Sequence, residues 1–287
     1  MREIKKPTTF EEQVQILKSR NLLIENEDNA KHILSSVNYY NITGYGYTFK
    51  DNDVYNNISF EKLYRIYLFD KRIKSIILYA TEIIEHNLRA KLAYTIAHNH
   101  GALGYEDVNN FKEIKEHQIL MDKFHKAIRK NSKLEFVKHH KENYGGKFPV
   151  WVAVELFTLG MILNCYKNIN RTTRKNIAEM FGTGPIQLES WIDCILYLRN
   201  MAAHYMRLYR VNIQKTPKRC NKNCPDFIPK NKVYDIIYIM KFLMPDPKEW
   251  NSYIIPSLKT IWTEYQPDVM FKDYGFSDNW LQELKIK

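Results

Sequence analysis

Glycine and proline are scarce, ten of each in 287 residues, and long stretches have neither. A β-sandwich or barrel needs turn residues about every 8–12 positions, so this scarcity argues against both. No Gly-x-Gly-x-x-Gly and no Walker loop appears, which removes the two common phosphate-cradling loops. The longest apolar stretch, around Val150 to Leu163, is too short for a bilayer and contains Glu155. The opening MREIKKPTTFEE lacks an apolar signal core, so a cytoplasmic protein without a membrane partner is expected. Cysteine is rare too, with four in the chain. Cys165 and Cys194 sit in apolar helical stretches and read as small core residues. Cys220 and Cys224 form a Cys-x-x-x-Cys with no second ligand pair nearby, so neither a metal nor another cofactor is expected. Acidic residues are outnumbered 43 to 32, giving a net charge of +11 and a pI near 9.2. Such a balance favours polyanionic partners, although it also serves solubility.

What is present is hydrophobic residue at 45%, enough to bury a sizeable core, in patterns that read as all-α. The most informative stretch is Trp191 to Arg210, WIDCILYLRNMAAHYMRLYR. At about 100° per residue an unbroken helix gathers Trp191, Ile195, Ala202, Met206 and Tyr209 on one apolar stripe. Glu189, Asp193, Asn200, His204 and Arg207 share a polar arc, and Arg199 points between the two. A guanidinium at a core edge cannot shed its charge, so it is held by a carboxylate or kept for a phosphate. Arg199 and His204 form the chain's one Arg-x-x-x-x-His; with 12 Arg and 9 His in 287 residues, about 0.4 such spacings arise by chance. Its setting in a periodic helix, with Asn200 after the Arg and Ala202 and Ala203 beside the His, gives it more weight. From the residues alone, a structural Arg with a satisfied His is the plainer reading.

The phrase LRNMAAHYMRLY resembles the Arg-x-x-x-x-His motif of HEPN ribonucleases. With TTFEEQVQILKSRNLLI near the start, NYYNITGY, LFDKRIKSIIL, EIIEHNLRAKLAY and FPVWVAVELFTLGMI, the chain resembles the bacterial Abi-like abortive-infection family, of the AbiD/AbiF type. The likeness spans most of Lys6 to Tyr209. It implies a HEPN-like helical bundle and a metal-independent endoribonuclease of anti-phage defence, in which a ribose 2′-OH attacks the adjacent phosphate. His204 would then transfer protons, Arg199 would stabilise charge on the phosphoryl oxygens, and Asn200 would orient one or the other. One His cannot be base and acid at once, so the resemblance also implies a C2 homodimer with a composite site. It implies as well an RNA partner, as substrate or as a small structured non-coding RNA. A non-catalytic RNA-binding module and the toxin of a toxin–antitoxin pair are the alternatives.

Along the chain, residues 1–57 read as an N-terminal helical appendage and 58–287 as the HEPN-like domain. Thr9 and Glu12 form a capping box opening a helix to about Arg20, with Val14, Ile16 and Leu17 inward, and a second helix covers about Glu27 to Val37. This pair could suggest a helix-turn-helix, but Glu27, Asp28 and Asn29 stand where DNA contacts would be needed. Tyr39, Tyr40, Tyr45 and Tyr47 read as packing on the main body rather than stacking bases, and 52–57 as a linker. From Ser59 to Gly101 one long helix or two stacked helices are expected, with Glu82, Glu85 and Arg89 on one face. Either that face is a solvated ion pair, or a carboxylate there orients Arg199 or His204; Glu85, Arg89 and Asp193 are the supporting candidates.

Lys112 to Lys147, with ten basic and five acidic residues, reads as one or two solvated helices whose histidines lack metal-ligand partners. Phe148 to Tyr166 reads as the most buried helix, with Glu155 needing a partner. A short basic helix spans Asn170 to Met180. From Arg207 to Lys232 eight basic residues meet only Asp226, and three prolines prevent a regular helix. Arg207, Arg210, Lys215, Lys218, Arg219 and Lys222 are therefore the candidates for RNA backbone contact. Two helices, near Val233–Met244 and Glu249–Tyr265, and a short tail from Asp273 complete the expectation.

Overall fold

The computed structural model describes residue 4, residues 6–219 and residues 227–286; Cys220, Lys222 and Cys224 lie outside them. It is all-α, with one two-stranded hairpin among the described residues. Helix α1 (Phe10–Ser19) opens with the expected capping box: Thr9 N donates to Glu12 Oε2 at 2.7 Å and Glu12 N to Thr9 Oγ1 at 3.2 Å. Val14 and Leu17 are buried and Ile16 is half-buried. Helix α2 (Glu27–Ser36) follows, then the short α3 (Tyr39–Thr43) and a 3-10 turn over Tyr45–Phe49. The stretch expected to be a linker is in part a hairpin, β1 (Lys50–Asp51) against β2 (Val54–Tyr55). Asn52 and Asp53 both take positive φ (46° and 70°), which suits the twist of a two-residue hairpin turn. Tyr55 is wholly buried, which ties the hairpin down.

Helix α4 (Phe60–His100) is one unbroken run of 41 residues, about 60 Å long at 1.5 Å per residue. Ser59 Oγ caps its start by accepting from Lys62 N at 3.1 Å, and Gly101 ends it at φ 80°. Beyond it come α5 (Ile114–Lys130) and α6 (Glu135–Asn143). The segment expected to be one deeply buried helix is instead α7 (Val150–Ala153), a 3-10 turn and α8 (Leu159–Asn168). Thr158 caps α8 by accepting from Met161 N at 3.3 Å, and Glu155 is exposed at the break, so it needs no buried partner. Helix α9 (Arg171–Glu179) leads to α10 (Pro185–Ala203), which starts on Pro185, a residue preorganised for a first helical position.

Helix α10 packs on α4, α8 and α9, and on α11 (Val233–Met240). A short α12 (Pro247–Glu249) runs through one π-turn into α13 (Ile255–Tyr265), which lies against α4. The expected tail is packed structure: it holds a 3-10 turn and α14 (Trp280–Leu284), with Tyr274, Trp280 and Leu284 buried. One continuous apolar cluster runs from Val14 to Leu284, so the N-terminal helices share a core with the rest. Cys165 and Cys194 are buried in it, and burial pushes each thiol up to about 12, as suits small core residues.

Candidate active site

Helix α10 carries Arg199 and Asn200 in its last turn and ends at Ala203, so the helix expected to run to Arg210 stops seven residues early. Trp191, Ile195 and Ala202 are buried as the stripe requires, whereas Met206 is exposed. Tyr209 is buried too, but from the irregular segment that follows. His204 is the C-cap, and its backbone N–H donates to Asn200 O at 2.9 Å. Tyr205 N then donates to Ala202 O at 3.3 Å and Met206 N to Met201 O at 2.9 Å, the paired bonds of a Schellman ending. Such an ending places its next residue in the left-handed region, usually as glycine; here Tyr205 holds it at φ 57°.

What stops the helix is a long-range anchor. Asp70 on α4 is wholly buried, and its carboxylate accepts from Leu208 N at 3.1 and 3.2 Å. It also accepts from Tyr45 Oη at 2.7 Å and Tyr274 Oη at 2.8 Å, and pairs with Lys74 Nζ at 2.8 Å. Burial, and next the Asp70 charge, hold both phenols above the usual tyrosine range, so they remain donors. Three remote parts of the chain thereby fix the backbone four residues beyond His204. Nothing in the local pattern around LFDKRIK singles out Asp70; its four-residue spacing to Lys74 was the one available signal.

At the motif itself, Arg199 Nη1 donates to Asn200 Oδ1 at 3.2 Å. Among the described residues no carboxylate lies within 4 Å of Arg199, and the exposed His204 ring has no hydrogen-bond partner. Two of the carboxylates proposed to orient them, Glu85 and Asp193, are engaged elsewhere. Glu85 pairs with Arg89 at 2.6 Å, and Arg89 also donates to Phe157 O at 2.7 Å, tying α4 to the break before α8. Asp193 pairs with Lys215 at 2.7 Å, and Glu189 pairs with Arg174. Glu85 and Arg89 therefore do form a local ion pair, but with each side chain only 16% exposed the face is not the solvated one expected. A group of three or more His, Cys, Asp or Glu placed to hold a metal ion does not occur among the described residues.

The basic segment is more tightly held than its composition implies. Arg207 Nη1 donates to Gly44 O, and Arg210 Nε donates to Asp273 Oδ1 at 2.7 Å while its guanidinium lies over the Phe49 and Tyr209 rings. Ile213 N donates to Asn231 O at 2.7 Å, and Lys218 O accepts from Trp191 Nε1 at 2.8 Å. Arg210 and Lys215 thus have acidic partners inside the chain, whereas the ammonium of Lys218 is exposed with no carboxylate within 4 Å among the described residues. Arg219 is likewise exposed.

The model of the Abi-like protein family matches residues 32–210, from α2 to the anchored irregular segment after His204. The chain belongs to the Abi-like family. Membership points to abortive infection, and the matched region takes in Asp70, the whole of α10 and the Arg199–His204 pair. No curated protein and no solved structure matches this Abi-like chain. No described helix of it is long and apolar enough to cross a membrane.

Proposed function

We propose that this Abi-like chain is a metal-independent endoribonuclease of the HEPN type acting in abortive infection. The observation that carries the reading is the pairing, at the end of α10, of a guanidinium with no carboxylate within reach and a solvent-facing imidazole without a partner among the described residues. A buried structural Arg is normally claimed by an acid, so an unclaimed one is available to a phosphate.

In the proposed reaction the 2′-OH of one ribose attacks the adjacent phosphorus. Its proton passes to a neutral His204, the O2′–P bond forms, and the P–O5′ bond breaks. The leaving 5′ oxygen takes a proton from a second, protonated His204. Products are a 2′,3′-cyclic phosphate and a 5′-hydroxyl. Arg199 stabilises the charge gathering on the phosphoryl oxygens, worth about 10²–10³-fold for one well-placed donor. Asn200, bonded to Arg199, orients it. Because the chain has one such histidine, two copies meet across a two-fold axis to supply both proton transfers. Lys218, exposed beside the start of α10, would hold RNA backbone at a distance from the reacting phosphate.

Purified protein incubated with total RNA in excess EDTA should cut it at an unchanged rate, and end mapping should find cyclic or 3′-phosphate termini. Loss of cleavage on chelation, or 3′-hydroxyl ends, would overturn this chemistry.

A further inference from the structure

A cavity of about 800 Å³ opens between the α3 region, α4 and the irregular segment after α10. That volume lies within the range of small-molecule sites, about 300–1,000 Å³. Arg199, Asn200 and His204 do not line it, so it is separate from the reactive pair although Tyr205, the next residue, stands in its wall.

Its charge is one-sided. Lys71, Lys74 and Arg207 line it, and among the described residues no Asp or Glu does. Lys74 is only 7% exposed and is balanced from behind by Asp70. Lys71 is exposed with no carboxylate within 4 Å among the described residues, and the Gly44 carbonyl that holds Arg207 is neutral, so two positive charges are left uncompensated. The rest of the wall is unusually aromatic. Tyr67 and Tyr197 are half-buried, while Tyr47 and Tyr205 are 75% and 82% exposed. Exposing large rings beside a basic cavity serves no packing purpose. Holding Tyr205 in a conformation that glycine would adopt without strain marks it further. Amide side chains of Asn41, Asn212 and Gln214 complete the wall and offer both donors and acceptors.

We propose that this cavity binds one nucleotide, its base stacked on Tyr47 and Tyr205 and its phosphate held by Lys71 and Arg207. Cations answer the phosphate, tyrosine faces answer a base, and amides can read the base edge, the three features a nucleotide presents together. The nucleotide is either free or an unstacked unit of a single strand. This proposal goes beyond the cleavage reading and does not depend on it, because binding can be read without any bond being cut.

The test uses the full chain with two probes: the four nucleoside monophosphates, by calorimetry, and a short 2′-O-methyl oligoribonucleotide, by fluorescence anisotropy. The latter has no 2′-OH to attack. Lys71→Glu, Tyr47→Ala and Tyr205→Gly alter exposed side chains, and thermal melting should show each folded, with Tyr205→Gly no less stable than the parent. Each is expected to weaken binding about tenfold, the size of one lost base–aromatic stack or phosphate contact. Monophosphate binding that the variants weaken supports a free ligand; oligonucleotide binding alone, weakened in the same way, supports a unit of a strand. Wild-type affinity in all three folded variants, or no binding of either probe by the parent, would overturn the proposal.

Discussion

Asp70→Ala should lose about 3–5 kcal/mol of folding stability, the usual cost of stranding one member of a buried ion pair. The variant leaves the Lys74 ammonium, 7% exposed, without its partner. It also removes the acceptor shared by Tyr45, Tyr274 and the Leu208 amide. For a chain of this size the melting temperature should fall by about 5–8 °C. Replacing both members, as in Asp70→Leu with Lys74→Met, should recover part of the loss, because no buried charge is then left alone. Melting of Asp70→Ala at the parental temperature would show that the anchor does not hold the segment after His204.

Arg199→Ala and His204→Ala are expected to act in the opposite sense, on chemistry and not on folding. Each should lower RNA cleavage by about 10²–10⁴-fold, the range for removing a proton-transfer group or a charge-stabilising donor. His204 is exposed and contributes only its backbone N–H to the helix ending, so His204→Ala should melt with the parent. Arg199 makes one side-chain hydrogen bond, to its neighbour, so beyond the packing of its half-buried stem it has no polar contact to the rest of the fold to lose. Cleavage at the parental rate in either variant would remove that residue from the mechanism. Inactivity accompanied by a lowered melting temperature in both would make the pair structural.

The elements that could be read from the sequence are those set by local rules. The capping box of α1 and the 41-residue α4 without internal Gly or Pro needed no partner to be recognised. The pair Glu85–Arg89 was likewise legible as an i,i+4 contact. What could not be read depends on contacts between distant residues. From Met201 to Arg210 the apolar period continues without a Gly or Pro, and the bonds that hold the backbone outside the helix come from far away, Asp70 lying 138 positions from Leu208 and Gly44 163 from Arg207. Tyr205 then takes the left-handed position that glycine would have announced. Lys215 and Asp193 are 22 apart in sequence, so a charge run that looked free is partly neutralised. The packed C-terminal turn hides for the same reason, since Tyr274 meets Asp70 from 204 positions away.

The cavity shows the same division. The tyrosines around Gly44 were legible as a group, and Tyr45 does pack inward. That Tyr47 faces a basic cavity with Lys71 and Tyr205 requires three separate segments to meet. The Arg199–His204 spacing was legible because it lies within one helix and its cap, although the exposure of His204 depends on where that helix ends.

The central claim, that two copies of one histidine share a single cleavage reaction, is tested most directly with mixed dimers. Chains of parent and His204→Ala carrying different tags would be purified as the mixed pair, and their rate of RNA cleavage measured beside parental pairs. With one imidazole left, base and acid cannot both be supplied, so the mixed pair should lose nearly all activity. Retention of about half the parental rate, as counting independent sites requires, would contradict a composite site, as would a fully active monomer at sedimentation equilibrium.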